Sequence, residues 1–201
     1  MVSDGSEVMK EPFDLSEMTV SMKCGASDTT SGMAANPAVG ICVDTLIESG
    51  ANVIFGESSE ITGAEHILAK RAINNKVRGE LVKTIDDYVQ FALNKGVSIH
   101  GSQPSQENIA GGLSTIEEKA LGNILKTGTK TIQGVLKPAE SPKKNSGLYF
   151  MDTSSSAQEA VTLFAAAGAQ VHLFPTGQGN VVGNPIEPVI KITANPKTAK
   201  A

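Results

Sequence analysis

The sequence contains no tryptophan, and aromatic residues make up only 4% of its 201 positions. Surfaces that stack nucleobases need aromatic platforms, so that class of binding is excluded. No basic cluster marks a nucleic-acid footprint either: Lys143-Lys144 in a turn comes nearest, and the formal net charge is −4. With two cysteines, Cys24 and Cys42, the chain can form at most one disulfide. A disulfide framework is excluded, and a reducing cytoplasm is the expected setting. No apolar run approaches a membrane span, and Met1 to Glu11 has no apolar leader core.

What is present is a globular balance, 40% hydrophobic and 19% charged, in a chain long enough for one domain with a real core. The stretch Cys24 to Gly40 organises the rest. It is too polar and glycine-rich to be core. Met18 to Met22 ahead of it alternates like a strand, and Asn36-Pro37 behind it suits the N-cap and first position of a helix. A strand feeding a polar loop that feeds a helix N-terminus is where an open α/β sheet places its ligand, and the helix end favours an anion. A long surface loop held by Asx and Ser/Thr turns is the plainer alternative.

Residues 1–13 read as a tail or linker remnant, 14–195 as one α/β domain, and 196–201 as a polar tail. Apolar runs predict strands at 17–23, 52–56, 131–136, 147–151, 169–174 and 188–193, with a very short one at 97–100. Amphipathic spacing predicts helices at 37–49, 64–74, 77–94, 114–126 and 157–167, the fourth opened by a capping box at Ser114 and Glu117. The alternation implies a mainly parallel sheet with helices on both faces, Rossmann-like in plan. Polar loops following the strands would gather on its C-terminal edge.

Several loop motifs occur in order: Cys24-Gly-Ala-Ser-Asp28, Ser31-Gly32, Ala35-Asn-Pro-Ala38, Gly63-Ala-Glu65, Gly111-Gly-Leu-Ser-Thr115, Glu117-Glu-Lys119, Thr176-Gly-Gln-Gly179 and Ile190-Lys191. Together they resemble the catalytic region of the altronate dehydratase and galactarate dehydratase family, over nearly all of residues 17–195. Pro104 to Ile109, Met151 to Ser154 and Phe174 to Asn180 resemble its sulfolactate sulfo-lyase branch more closely still. The sugar-acid dehydratases resemble a wording with a lysine where Ile109 stands and an arginine where Gln178 stands. A neutral amide and an apolar wall there would suit a short substrate with anions at both ends.

The resemblance implies a lyase that performs β-elimination on a 2-hydroxy acid, with sulfolactate giving pyruvate and sulfite; the alternative is a sugar-acid hydro-lyase that removes water from altronate or galactarate. It also implies a divalent metal, with iron(II) expected, to hold the enediolate. Family members carry sequence before residue 1 and beyond Asn195. The chain is therefore expected to be an excised domain, partnered by a missing N-terminal domain or small subunit of the same enzyme. A homodimer is also open. The reading of another class is a non-catalytic anion-binding or assembly module.

Asp28 and Glu57, carboxylates on strand-end loops, suit a hard metal or base work, or simply cap a turn. Lys119, one turn into a capped helix, can bind a carboxylate or sulfonate, act as a base, or pair with a neighbouring Glu. His66 is a candidate ligand or base; His100 and His172 rank below it, and no zincin spacing occurs. Cys24 can be a soft ligand, a reactive thiol or a buried structural residue. The metal set is Cys24, Asp28, Glu60 and Glu65. The substrate-binding set is Ser27, Ser31, Asn36, Asn108, Gly111, Gly112, Asp152, Thr176 and Gln178, with the glycine-rich loops offering backbone N–H groups.

Overall fold

The computed structural model describes residues 8–99, 103–143 and 146–201. Its strands are β1 (Thr19–Met22), β2 (Asn52–Phe55), β3 (Ile132–Leu136), β4 (Gly147–Met151), β5 (Val171–Pro175) and β6 (Val189–Ile192). All six join one sheet in the order β3-β4-β2-β1-β5-β6, and every neighbouring pair is parallel. The sheet expected from the alternation is thus the one observed. The chain passes from β1 to β2, runs to the edge strand β3, returns to β4 between β3 and β2, and then crosses to β5 on the other side of β1. That reversal is the topological switch point, where parallel sheets open a crevice for ligands.

Helices cover both faces. They are α1 (Asn36–Glu48), α2 (Ser58–Ile61), α3 (Glu65–Lys70), α4 (Asn75–Asn94), α5 (Gln106–Ala110), α6 (Ile116–Ile124) and α7 (Ala157–Ala166). One core packs Val20, Met22 and Phe55 against Val39 and Val43 of α1, Leu68 of α3, Leu81 and Ile85 of α4, and Ile124 of α6. The opposite face packs Ile54, Tyr149 and Met151 against Ala160 and Phe164 of α7. Strands β2 and β4 are buried throughout, which is why each reads as an unbroken apolar run rather than an alternating one. Each fully buried aliphatic or aromatic side chain contributes roughly 1.5–3 kcal/mol. The edge strand β6 is partly exposed and carries Lys191, which discourages pairing with another chain.

Four local expectations are corrected. The helix after β1 does not begin at Asn36-Pro37. A π-helical turn, Ser31–Ala35, precedes it and runs straight into α1, with Asn36 itself helical. Pro37 cannot donate a backbone hydrogen bond, and the wider turn ahead of it, where the Asn36 N–H reaches Ser31 O, absorbs that gap. The cap of α6 falls on Thr115, whose hydroxyl accepts from Glu118 N–H at 3.2 Å, one residue later than the capping-box spacing suggested. The loop 101–113 contains α5, capped by Ser105. Val97 and Ser98 form no strand; His100 lies outside the described residues.

The C-terminal residues pack onto the domain: Thr198 Oγ1 donates to Gly177 O at 2.6 Å, and Asn195 Nδ2 to Asp28 Oδ2 at 2.7 Å. Among the described residues no helix is long and apolar enough to cross a membrane.

Candidate active site

The ends of β1 and β2 lie side by side and aim polar residues at one point. Beyond β2, Gly56 passes so close to the end of β4 that a Cβ would sit 2.3 Å from Thr153 Oγ1 and 3.0 Å from Met151 O. Only glycine fits. The next residue, Glu57, adopts a left-handed conformation (φ 73°, ψ 57°) that non-glycine residues rarely take. Its N–H donates to Thr153 Oγ1 at 2.9 Å, which holds the strained turn.

Two buried ammonium groups grip the Glu57 carboxylate. Lys23 Nζ lies 3.1 Å from Oε1 and Lys126 Nζ lies 2.6 Å from Oε2, and all three side chains are essentially inaccessible. Burial alone would raise the Glu57 pKa, but Lys126 and Lys23 overcome it and hold the carboxyl down near 2. Burial likewise opposes charge on both lysines, yet the facing carboxylates and thiol leave each above its ordinary value. Cys24 Sγ lies 4.0 Å from Glu57 Oε1 and 3.5 Å from Lys126 Nζ. Burial, aided by Glu57, pushes the Cys24 thiol up, against the opposing pull of Lys126.

A second pair stands nearer the surface. Lys119 Nζ lies 3.2 Å from Glu60 Oε1, and Asn123 Nδ2 donates to Glu60 Oε2 at 3.3 Å. Lys119 also donates to Asn108 Oδ1 at 3.0 Å and to Gln103 Oε1. Asn108 is itself anchored, donating to Ser27 O at 2.9 Å.

Ser27, Glu60 and Lys119 form a wall between two cavities. One, of about 540 Å³, is mostly apolar and lined by Met33, Ile67, Leu113, Leu121 and Leu125. The other, of about 410 Å³, adds Lys23, Gln103, Ser105, Asn108, Gln158 and Asn180. The smaller cavity gathers the convergent polar groups that a substrate site needs. Ala157 and Gln158, in the first turn of α7, also line it, and Ser156 makes no side-chain cap bond there. That helix end therefore favours an anion in the cavity.

Of the expected site residues, the structure brings Cys24, Ser27, Glu57, Glu60, Asn108 and Lys119 together. Asp28, Ser31 and Asn36 line the apolar cavity beside Cys24, Ser27, Glu60 and Lys119, and the remaining candidates line neither cavity. Asp28 caps the π-helical turn: Oδ1 accepts from Thr30 N–H at 2.9 Å and Thr30 Oγ1 at 2.7 Å, while Asn195 takes Oδ2. The Ser31 hydroxyl accepts from Asp28 N–H at 3.1 Å within the same turn. Asn36 is buried and donates to Gly122 O at 2.8 Å, facing the apolar cavity. Gly111 accepts from Thr29, and Gly112 turns the chain there at φ 96°. Asp152 accepts from the Ser58 hydroxyl at 3.0 Å. Thr176 is buried and accepts from Gly179 N–H at 3.1 Å. Glu65 accepts from Gly63 N–H at 2.6 Å, and its neighbour His66 is exposed; neither lines the two cavities.

The two residues tied to substrate length also sit outside the polar cavity. Gln178 is exposed and donates to Glu107 O at 2.8 Å, and Ile109 is 55% exposed. The argument from Gln178 and Ile109 for a short substrate therefore loses its structural footing.

Lys23, Asn123 and Lys126 were missed from sequence. Lys23 carried a readable signal, because it ends a strand whose other residues belong inside. Lys126 looked like an ordinary charge at a helix end.

Among the described residues, Cys24, Glu57 and Glu60 could hold a metal, their ligand atoms lying within 4.8 Å of one another. Asp28 and Glu65 do not join them. The donors are already engaged: both Glu57 oxygens face ammonium groups, and Glu60 is shared between Lys119 and Asn123.

Fold and site together define a doubly wound α/β domain with a polar cavity, closed on one side by a helix N-terminus, at its switch point. Residues 15–201 match the family described as D-galactarate/Altronate dehydratase, C-terminal, and the chain belongs to that family. It is 53% identical over 201 residues to the (2R)-sulfolactate sulfo-lyase subunit beta of Chromohalobacter salexigens, covering 99% of this chain and 51% of the relative. It is 40% identical over 190 residues to the galactarate dehydratase (L-threo-forming) of Escherichia coli K12, covering 94% of this chain and 36% of the relative. To the altronate dehydratase of Bacillus subtilis it is 37% identical over 192 residues, 96% of this chain and 38% of the relative. The chain thus spans about half the length of the first relative and little more than a third of the other two.

Proposed function

We propose that this chain supplies the anion-binding half of a lyase site, in a protein that eliminates sulfite from (2R)-sulfolactate. The single observation that carries the reaction class is the Lys119–Glu60 pair on the wall of the polar cavity. A β-elimination needs a base for the proton on the carbon bearing the carboxylate, and fixed positive charge where the enolate develops. Glu60 is assigned as the base. Lys119 binds the substrate carboxylate, and the α7 N-terminus with Gln158 and Asn180 receives the sulfonate. The proton on C2 passes to Glu60, the C3–sulfur bond breaks with its electron pair leaving on sulfite, and the enol takes a proton at C3 and loses its hydroxyl proton to give pyruvate.

Glu57, enclosed by Lys23 and Lys126, is assigned a positioning role: it holds Lys23 at the cavity wall. Iron(II), the cofactor expected from the family resemblance, is given no step, because both oxygens of Glu57, the carboxylate beside Cys24, face ammonium groups. Sulfolactate is preferred over sugar acids on the 53% identity with the sulfo-lyase subunit, against 40% and 37% for the two dehydratases. The test is an assay of the full-length protein, with its partner domain or subunit, on each substrate. Stoichiometric sulfite and pyruvate from (2R)-sulfolactate are expected. Dehydration of galactarate or altronate without sulfite release would overturn the substrate assignment.

A further inference from the structure

We propose that the cluster of Cys24, Glu57 and Glu60 takes no divalent metal, because the Lys126 ammonium, held among Cys24, Glu57 and Asn123, occupies its cation position. Lys126 Nζ is surrounded as a bound cation would be. Glu57 Oε2 lies 2.6 Å away, Asn123 O 3.4 Å and Cys24 Sγ 3.5 Å, with Asn123 Oδ1 also in contact. Lys126 is fully buried and is delivered from the turn after α6, so the charge is built into the fold. A second ammonium, Lys23, holds the other Glu57 oxygen and also donates to Cys24 O at 2.6 Å.

The charge tally agrees. Glu57 and Glu60 carry two negative charges, and Lys23, Lys119 and Lys126 carry three positive ones, all within one connected network. A divalent ion would raise the surplus to three charges with the lysines in place. The inference concerns this cluster alone and stands whether or not the sulfo-lyase reading holds.

The experiment is a cobalt(II) titration of the anaerobically purified protein, read by thiolate-to-cobalt charge-transfer absorbance, with metal analysis of the same sample. Wild type should show no such band. Lys126→Met vacates the cation position, so it should bind one cobalt ion with the band present, and Cys24→Ser in that background should abolish it. A wild-type band at one ion per chain, lost in Cys24→Ser, would overturn the proposal. Should Lys126→Met fail to fold, the comparison of wild type with Cys24→Ser still decides. Sulfite release is assayed separately, so failure of the lyase reading leaves the cobalt result intact.

Discussion

The Lys119 ammonium lies 3.2 Å from Glu60 Oε1 at the wall the two cavities share, the nearest charge pair to space a substrate can enter. In the assignment made above the two residues do different jobs, and kinetics can separate them. Glu60→Gln keeps the hydrogen bond from Asn123 but removes the base, so kcat for sulfite release should fall by about 10²–10⁴-fold with little change in KM. Lys119→Met should raise KM sharply, and Lys119→Arg should recover part of that loss. Glu60→Gln at near wild-type kcat would remove Glu60 as the base.

Glu57 is predicted to matter to folding more than to chemistry. Glu57→Gln strips the counter-charge from two buried ammonium groups, and breaking a buried ion pair costs about 3–5 kcal/mol. The double variant Glu57→Gln/Lys126→Met removes one stranded charge and should be more stable than Glu57→Gln alone. Urea denaturation of the two variants and wild type measures this coupling. The wild-type pair also carries a pH signature. The Glu57 carboxyl falls from 4.5 unfolded to about 2 folded, so its contribution is complete above pH 4.5 and is lost as pH falls towards 2.

The far side of β1 holds a titration of opposite sign. Ser21 Oγ donates to Glu187 Oε1 at 2.6 Å and shares a 2.6 Å hydrogen bond with His172 Nδ1, while Glu187 Oε2 and His172 Nε2 find no partner. Burial pushes the Glu187 carboxyl up to about 7, only partly offset by Ser21. The folded chain therefore keeps a proton that the unfolded chain loses above 4.5, and this stability disappears as pH rises through 7. His172 is held neutral, down to about 3, by burial first and then by Lys23. Its contribution is present above pH 6.5 and lost as pH falls, so the window above 6.5 isolates Glu187. Glu187→Gln should raise Tm at pH 8 and change it little at pH 5, with a gain of about 1–2 kcal/mol after screening is allowed for. Thermal melts at both pH values decide it; equal effects at the two would rule out the buried proton.

The amino-acid sequence alone determined the sheet, the helices on its two faces and the polar loops along its C-terminal edge, because those follow from local periodicity. Val-Ile-Phe at 53–55 and Leu-Tyr-Phe-Met at 148–151 could only be buried strands. The ordered loop motifs marked the family for the same reason, being contiguous text. Pairing across long separations was decided only by the tertiary structure. Asp28 read as a catalytic carboxylate, but its Oδ1 accepts from Thr30 two residues on and its Oδ2 from Asn195, 167 residues away. Lys23 and Lys126 drew no role from the sequence, since a lysine in isolation belongs in water. They are interior because β2 delivers Glu57 between them, and a buried charge is tolerated only where its counter-charge has already been placed. Ser21, His172 and Glu187 meet by the same logic: each is unremarkable in the chain and becomes a titrating group only in the space the sheet encloses.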